Sequence, residues 1–341
     1  MILRYSPAAA GHDPELFFRR GRMVEHPEST ARYDTLHEAA AQVGTLTEAN
    51  DHGLAPILAV HDPLYVDLLR HGFARAAAID PQIEEILPTQ FAPWTPHHRP
   101  EGLLGQLGYH MTDTSTPLRR GTWNAVYGAA QAAIDAADDA RAHGLSYALC
   151  RPPGHHASAA HAGGFCYLNN AAITAERLRA TTPRVAILDI DVHHGNGTQA
   201  IFYEDPDVLY VSVHAETGNY FPYFTGYADE KGAGAGQGAN LNLPLPLGSE
   251  DSAYCGAIAR GLEAIAAFDP GALVVSLGLD VAAGDPIGAF AVSEHGFVRA
   301  AGQIAALGRP TAIIQEGGYP AAALGNNLLA FLSAFVEKQT A

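Results

Sequence analysis

Cysteine is scarce. The three cysteines in 341 residues, Cys150, Cys166 and Cys255, are odd in number and show no C-x-x-C spacing. A thiolate metal set is therefore unavailable, and the pattern fits a reducing, cytoplasmic setting. Each reads as a small buried hydrophobe. Basic residues are also in deficit, 20 Lys and Arg against 36 Asp and Glu for a net charge of −16. That removes the footprint of a nucleic-acid binder. It is compatible with a cationic substrate, but does not separate a polyamine from a lysine-rich protein tail. Long apolar runs are missing: none reaches the roughly 18 residues that would suggest a membrane span. The amino terminus lacks a basic start followed by an apolar region and a small-residue cleavage site, and reads as a first strand, not a signal peptide. What is present is a chain 48% hydrophobic and 16% charged, an ordinary globular composition with a substantial core.

From about residue 120 the pattern alternates. Helices are expected over 122–142, 168–180, 198–203, 250–268 and 294–307. Strands are expected over 147–150, 185–191, 208–214, 272–280 and 311–316. Continuous apolar strands between helices imply an α/β fold, a parallel sheet flanked by helices on both faces, with right-handed crossovers. We read residues 1–341 as one domain. Two segments break the pattern. Residues 84–117 are rich in Pro, His and Gly and contain Trp94. Residues 216–246 are Gly-rich and contain Tyr220-Phe-Pro-Tyr-Phe-Thr-Gly226. Irregular segments this long in a compact chain are functional or disordered.

Four of the expected strands run into polar clusters: Arg151-Pro-Pro-Gly-His-His156, Asp189-Ile-Asp-Val-His-His194, Leu277-Gly-Leu-Asp280 and Gln315-Glu-Gly-Gly-Tyr319. In open parallel sheets ligands bind outside the carboxyl ends of the strands. One polar strand end could simply bond to loop backbones, and an adjacent histidine pair could be solvated. Four together point to a site. In an extended chain alternate residues share a face, so Asp189, Asp191 and His193 lie together, opposite Ile190 and Val192. Asp191 and His193 are placed to bind one metal, with Asp280 from another strand as third ligand. Oxygen and nitrogen donors with one position left for water form a catalytic arrangement. Zinc fits this set, as do iron(II) and cobalt. His155 and His156 are acid/base candidates beside such a site, Asp189 could orient one of them, and Tyr319 could donate to a developing oxyanion.

Taken with Gly163-Gly-Phe-Cys-Tyr-Leu-Asn-Asn-Ala171 and Asp189-Ile-Asp-Val-His-His-Gly-Asn-Gly-Thr-Gln199, these motifs resemble the arginase-like histone deacetylase superfamily from about Gly121 to Leu332. Phe18-Arg-Arg-Gly-Arg-Met23, the long segment 84–117 and Gly121-Thr-Trp123 are more loosely similar to its bacterial acetylpolyamine amidohydrolase and histone deacetylase-like amidohydrolase branch. The resemblance implies a zinc-dependent amidohydrolase acting on N-acetyl amides. Asp191, His193 and Asp280 would be the metal ligands. His156 would be general base and then acid, with His155 and Asp189 as an electrostatic pair. Tyr319 would polarise the carbonyl. Phe165, Phe221 and Gly164 would shape a narrow tunnel. The resemblance also implies a structural K+ or Na+ near Asp189, Asp191, His193 and Ser212.

Departures from the family's protein deacetylases bear on substrate. Asn196 stands where class I enzymes have an aspartate, which favours a neutral His156. His110 follows Gly108-Tyr109 where they carry a rim aspartate that clamps a peptide. Asp113, Glu101 and Glu15 are candidates for holding a distal ammonium. In the resembled branch the insertion builds a homodimer contact that narrows the active-site entrance. The expectation is deacetylation of a small cationic acetylated substrate of the acetylputrescine or acetylcadaverine type; a protein or peptide acetyl-lysine deacetylase is the alternative. A non-catalytic sensor is disfavoured by the intact Tyr319 and histidine pair, and a two-manganese ureohydrolase by the shortage of carboxylates.

Overall fold

The computed structural model describes residues 1–92 and 98–340; Trp94 lies outside them. The chain opens with β1 (Ile2–Tyr5), a hairpin of β2 (Leu16–Arg19) and β3 (Arg22–Glu25), α1 (Thr30–Val43) and β4 (Leu46–Glu48). Then follow α2 (Ala55–Leu58), α3 (Pro63–Ile79), β5 (Glu85–Ile86), α4 (Leu103–His110) and β6 (Leu118–Arg119). The α/β part comprises α5 (Thr122–His143), β7 (Leu145–Leu149), α6 (Asn170–Arg179), β8 (Val185–Asp189), α7 (Asn196–Phe202), β9 (Val208–Ala215) and β10 (Asn240–Leu245). It ends with α8 (Asp251–Phe268), β11 (Ala272–Leu277), α9 (Glu294–Ala305), β12 (Thr311–Gln315) and α10 (Leu324–Thr340).

Eight strands form one sheet in the order β10-β9-β8-β11-β12-β7-β1-β4, and every pairing in it is parallel. The five residues of β8 are all buried, as a central strand covered on both faces requires. One core cluster joins Leu188 and Val275 to Leu36, Ile258, Phe297 and Phe331 of the helices on one face. The other joins Ile187 and Val274 to the alanines of α5 and α6. Alanine lets α5 lie close to the sheet, and left-handed Gly144, at φ 85°, ends it. Asp62 caps α3 by accepting from the Leu64 and Tyr65 amides ahead of Pro63, and Asn169 caps α6 through the Ala172 amide.

The expected strands and helices after residue 120 are present, with ends shifted. The strand expected over 185–191 stops at Asp189, and the one over 272–280 at Leu277, because the polar residues leave the ladder to face one another. Residues 216–246 are not irregular throughout. They contain β10, which adds an edge strand beside β9. The ends of the 84–117 segment are tied by the antiparallel pairing of β5 and β6, and α4 lies between them. No helix among the described residues is long and apolar enough to cross a membrane.

Candidate active site

The four polar clusters converge because β8, β11, β12 and β7 are adjacent in the sheet. Their carboxyl ends deliver Asp191 and His193, Asp280, Tyr319, and the histidine pair to one place. Asp191, His193 and Asp280 are buried, and their ligand atoms lie within 4.8 Å of one another. His193 Nδ1 is 3.1 Å from both Asp191 Oδ1 and Asp280 Oδ2. Burial and Asp191 together push the Asp280 carboxyl up to about 7. Burial also raises Asp191, but His155 and His193 outweigh it and hold that group far below the usual range.

Two buried carboxylates and an imidazole facing one another form a donor set that suits a divalent cation. Two glycines keep space for it. A Cβ on Gly317 would fall 2.3 Å from Asp280 Oδ2 and 2.5 Å from Asp191 Oδ2, and one on Gly278 2.3 Å from Asp191 Oδ2. The residues therefore fit a metal ion.

The His155 and His156 rings are tilted against each other with centroids 4.0 Å apart but have different partners. His155 Nδ1 is 3.1 Å from Asp189 Oδ2, which also accepts from the Tyr210 hydroxyl at 3.0 Å. Burial alone would lower His155, yet Asp191 and Asp189 raise it to about 10. His156 Nδ1 donates to Asn196 Oδ1 at 2.7 Å. Burial, then the charges of His155 and His193, hold His156 well below its ordinary value. The surroundings thus favour the charged form of His155 and the neutral form of His156. Tyr319 is buried, and burial, partly opposed by Arg32, pushes its phenol well above 10. It keeps its proton.

A cavity of about 260 Å³ opens from this centre. His156, His193 and Tyr319 line it together with Phe165, Phe221 and Gly164. Phe221 lies 4.9 Å from the His156 ring, and Phe165 lies 5.6 Å from Tyr319. Gly164 has φ 53°, and a Cβ there would strike His156 at 2.4 Å. Asp113 reaches the same cavity; one of its oxygens accepts from the Gly164 amide at 2.9 Å. Glu15 and Glu101 are not brought there. Glu15 is exposed and pairs with Arg119 in a separate groove, and Glu101 is exposed just before α4. His110 is not at a rim either. It is buried, with Nδ1 donating to the Ala160 carbonyl at 2.6 Å. Ser212 is paired in register with Asp189 and lies 2.8 Å from His214 Nδ1.

Several contributors went unnoticed in the sequence. Tyr220 stacks on His193 at 5.0 Å and 11°; the aromatic run 220–224 was the available signal. Asp285 accepts from the Tyr319 amide at 2.8 Å. Arg32, fully buried in α1, donates to the Gly318 and Glu316 carbonyls and lies 5.3 Å from the Tyr319 ring. A lone arginine in a helix gives no sequence signal. Glu316 accepts from the Gly154 and His155 amides at 2.6 and 3.0 Å, clamping the histidine turn. His155, Cys166 and Glu316 form a second buried group within 4.8 Å, but these bonds already occupy two of its members.

A parallel α/β sheet whose central strands deliver this donor set, histidine pair and tyrosine defines the arginase/deacetylase class of hydrolase. The chain belongs to the histone deacetylase domain family, whose model matches residues 26–335. It is 43% identical over 337 residues to an acetylpolyamine amidohydrolase of Burkholderia pseudomallei, covering 98% of each chain. It is 38% identical over 312 residues to one of Mycoplana ramosa, covering 90% and 92%. The crystal structure of the Burkholderia pseudomallei acetylpolyamine aminohydrolase superposes with a TM-score of 0.95 over 99% of both chains.

Proposed function

We propose that this chain deacetylates small acetylated polyamines of the acetylputrescine or acetylcadaverine type. The observation that carries the reading is the single cavity joining His156, His193 and Tyr319 to the Asp113 carboxylate between the Phe165 and Phe221 walls. At about 260 Å³ it is below the roughly 300–1,000 Å³ common for drug-sized ligands, which suits a slim aliphatic chain. The acetylpolyamine amidohydrolases at 38–43% identity support it.

In this reading Asp191, His193 and Asp280 hold zinc, iron(II) or cobalt, and the bound ion supplies Lewis acidity and a lowered water pKa. His156 does the proton work. With Nδ1–H committed to Asn196, its Nε2 is the basic nitrogen. It takes a proton from the attacking water and returns it to the leaving amine. His155, held charged against Asp189, stays out of the transfer and balances the buried carboxylates. Tyr319 donates its hydroxyl hydrogen to the acetyl oxygen as charge develops there. Phe165 and Phe221 exclude water from the methylene chain, and Asp113 accepts the distal ammonium. The same reading includes a monovalent cation beside Asp189, Asp191, His193 and Ser212, a homodimer formed through 84–117, and a cytoplasmic location.

The test is kcat/KM for acetylputrescine, acetylcadaverine, acetylspermidine and an acetyl-lysine peptide with zinc-reconstituted protein. A preference of about tenfold or more for the free amines, about 1.4 kcal/mol in transition-state binding, is the expected result. Good cleavage of the peptide with negligible turnover of the amines would put the peptide deacetylase reading first.

A further inference from the structure

The cavity that Asp113 lines is also lined by two arginines. Arg19, half-buried at the end of β2, and Arg20, exposed in the turn that follows, both line it. Alternation along β2 puts Arg19 on the same face as Phe17, and Phe17 packs on Phe165 at 5.5 Å. Arg20 at φ 50° and Gly21 at φ 80° make the two-residue turn, which holds Arg20 at the hairpin tip. Among the described residues neither guanidinium has a hydrogen-bond or ion-pair partner, whereas Arg119 of the neighbouring groove pairs with Glu15.

A lone ammonium needs only Asp113. Two arginines that line the same cavity without an ion pair of their own among the described residues attract a carboxylate and repel a second ammonium. A ligand end that bears one ammonium and one carboxylate on the same carbon satisfies both. We propose that this site also takes, as substrate, α-amino acids N-acetylated on the side-chain amine, with the α-ammonium on Asp113 and the α-carboxylate on Arg19 and Arg20. The proposal rests on the acetyl-amide hydrolase reading above and adds a second charge to its substrate. Water adds to the acetyl carbon, the C–N bond breaks, and acetate and the protonated amine leave, as in that reading.

Nε-acetyl-lysine and acetylcadaverine isolate the new element. Both place five carbons between the amide nitrogen and the ammonium, and they differ by one carboxylate on the last carbon. The experiment is the ratio of their kcat/KM values, acetyl-lysine over acetylcadaverine, in zinc-loaded wild type, in the double variant Arg19→Gln/Arg20→Gln and in Arg19→Lys/Arg20→Lys. The ratio is expected to fall at least about tenfold in the glutamine variant, through KM for acetyl-lysine, and to recover in part with lysine, which keeps the charge without the fork. In wild type it should also fall between 50 and 500 mM KCl, because exposed charges are screened. Equal ratios in wild type and the glutamine variant overturn the proposal, as does turnover of acetylcadaverine with none of acetyl-lysine; both leave the acetyl-diamine reading standing. No turnover of either compound by folded, metal-loaded protein removes both. Melting temperatures of the variants separate damage to the hairpin from loss of charge.

Discussion

Replacing Tyr319 with Phe tests the oxyanion role with little interference from folding. The Tyr319 hydroxyl has no hydrogen-bond partner among the described residues, so its removal orphans no buried group. The phenylalanine ring keeps the contacts to Phe165 at 5.6 Å and to the Arg32 guanidinium at 5.3 Å. Stability should therefore change little, by about 1 kcal/mol at most, because no buried partner is left unpaired. Turnover should respond very differently. In the proposed reaction a phenol held neutral by burial donates to the carbonyl oxygen only as charge builds there. Loss of one such donor costs about 2.7–4 kcal/mol, or roughly 10²–10³ in kcat. The assay is acetylcadaverine turnover at saturation, with metal content by mass spectrometry and melting temperature measured on the same preparation. A rate within about tenfold of wild type, with metal and fold intact, would refute the assignment.

Asp280→Ala removes one carboxylate of the donor set and also orphans the Val192 amide, which now donates to Asp280 at 3.0 Å. Bound metal measured after dialysis should fall to background, with a stability loss of about 1–3 kcal/mol for the unpaired amide. Gly317→Ala introduces a methyl that the Asp191 and Asp280 carboxylates must yield to; metal affinity by competition with a chelator should weaken while the far-ultraviolet circular dichroism stays unchanged. Asp113→Asn should raise KM for acetylputrescine more than for a neutral N-alkylacetamide; equal effects on both would assign Asp113 to the Gly164 loop and not to the ammonium. Acid should destabilise the fold through buried neutral histidines. Burial holds His61 at about 4, partly opposed by backbone carbonyls, and its Nε2 accepts from the Asn169 amide at 2.9 Å. Its pKa is lowered in the folded state, so its contribution is full above about 6.5 and is lost as pH falls from there towards 4, on the order of 3 kcal/mol. A melting temperature flat across pH 4.5–7 would contradict this.

Legibility in the sequence followed periodicity and local motif. The strands that carry the site were visible because each is a short apolar run ending in polar residues, as in Val185–Asp189. The donor set was visible because alternation fixes which neighbours share a face. The amino-terminal third was harder. β4 is three residues long, β5 and β6 are two each, and runs that short carry no period. α3 begins with an Asp-Pro cap that could have been read. Arg32, Glu28 and Arg151 could not, because their network joins residues 123 positions apart through the Glu28 carboxylate. That Glu15 and Glu101 lie outside this chain's cavity was not legible for a related reason. Acidity shows in the sequence, but the direction a loop presents does not, and of the three carboxylates only Asp113 is turned inward by amide bonds from Ser115 and Gly164.

Four buried carboxylates, Asp189, Asp191, Asp280 and Glu316, crowd the ends of the central strands, and each is held by backbone amides. The Asp191 amide donates to Asp189, the Gly317 and His193 amides to Asp191, the Val192 amide to Asp280, and the Gly154 and His155 amides to Glu316. These donors come from the turns after β7, β8 and β12, so the loop that carries His155 and His156 is fixed by Glu316 and the loop that leads to Tyr319 by Asp191. These amide bonds hold the carboxylates in fixed directions, which limits the reorganisation that an ion would require on binding. Burial first, and then the neighbouring Asp191, push Asp280 up to about 7, with His193 opposing them. A divalent cation relieves that remaining repulsion, so metal binding should raise the melting temperature as well as activate the site, and the increment should vanish in Asp280→Ala.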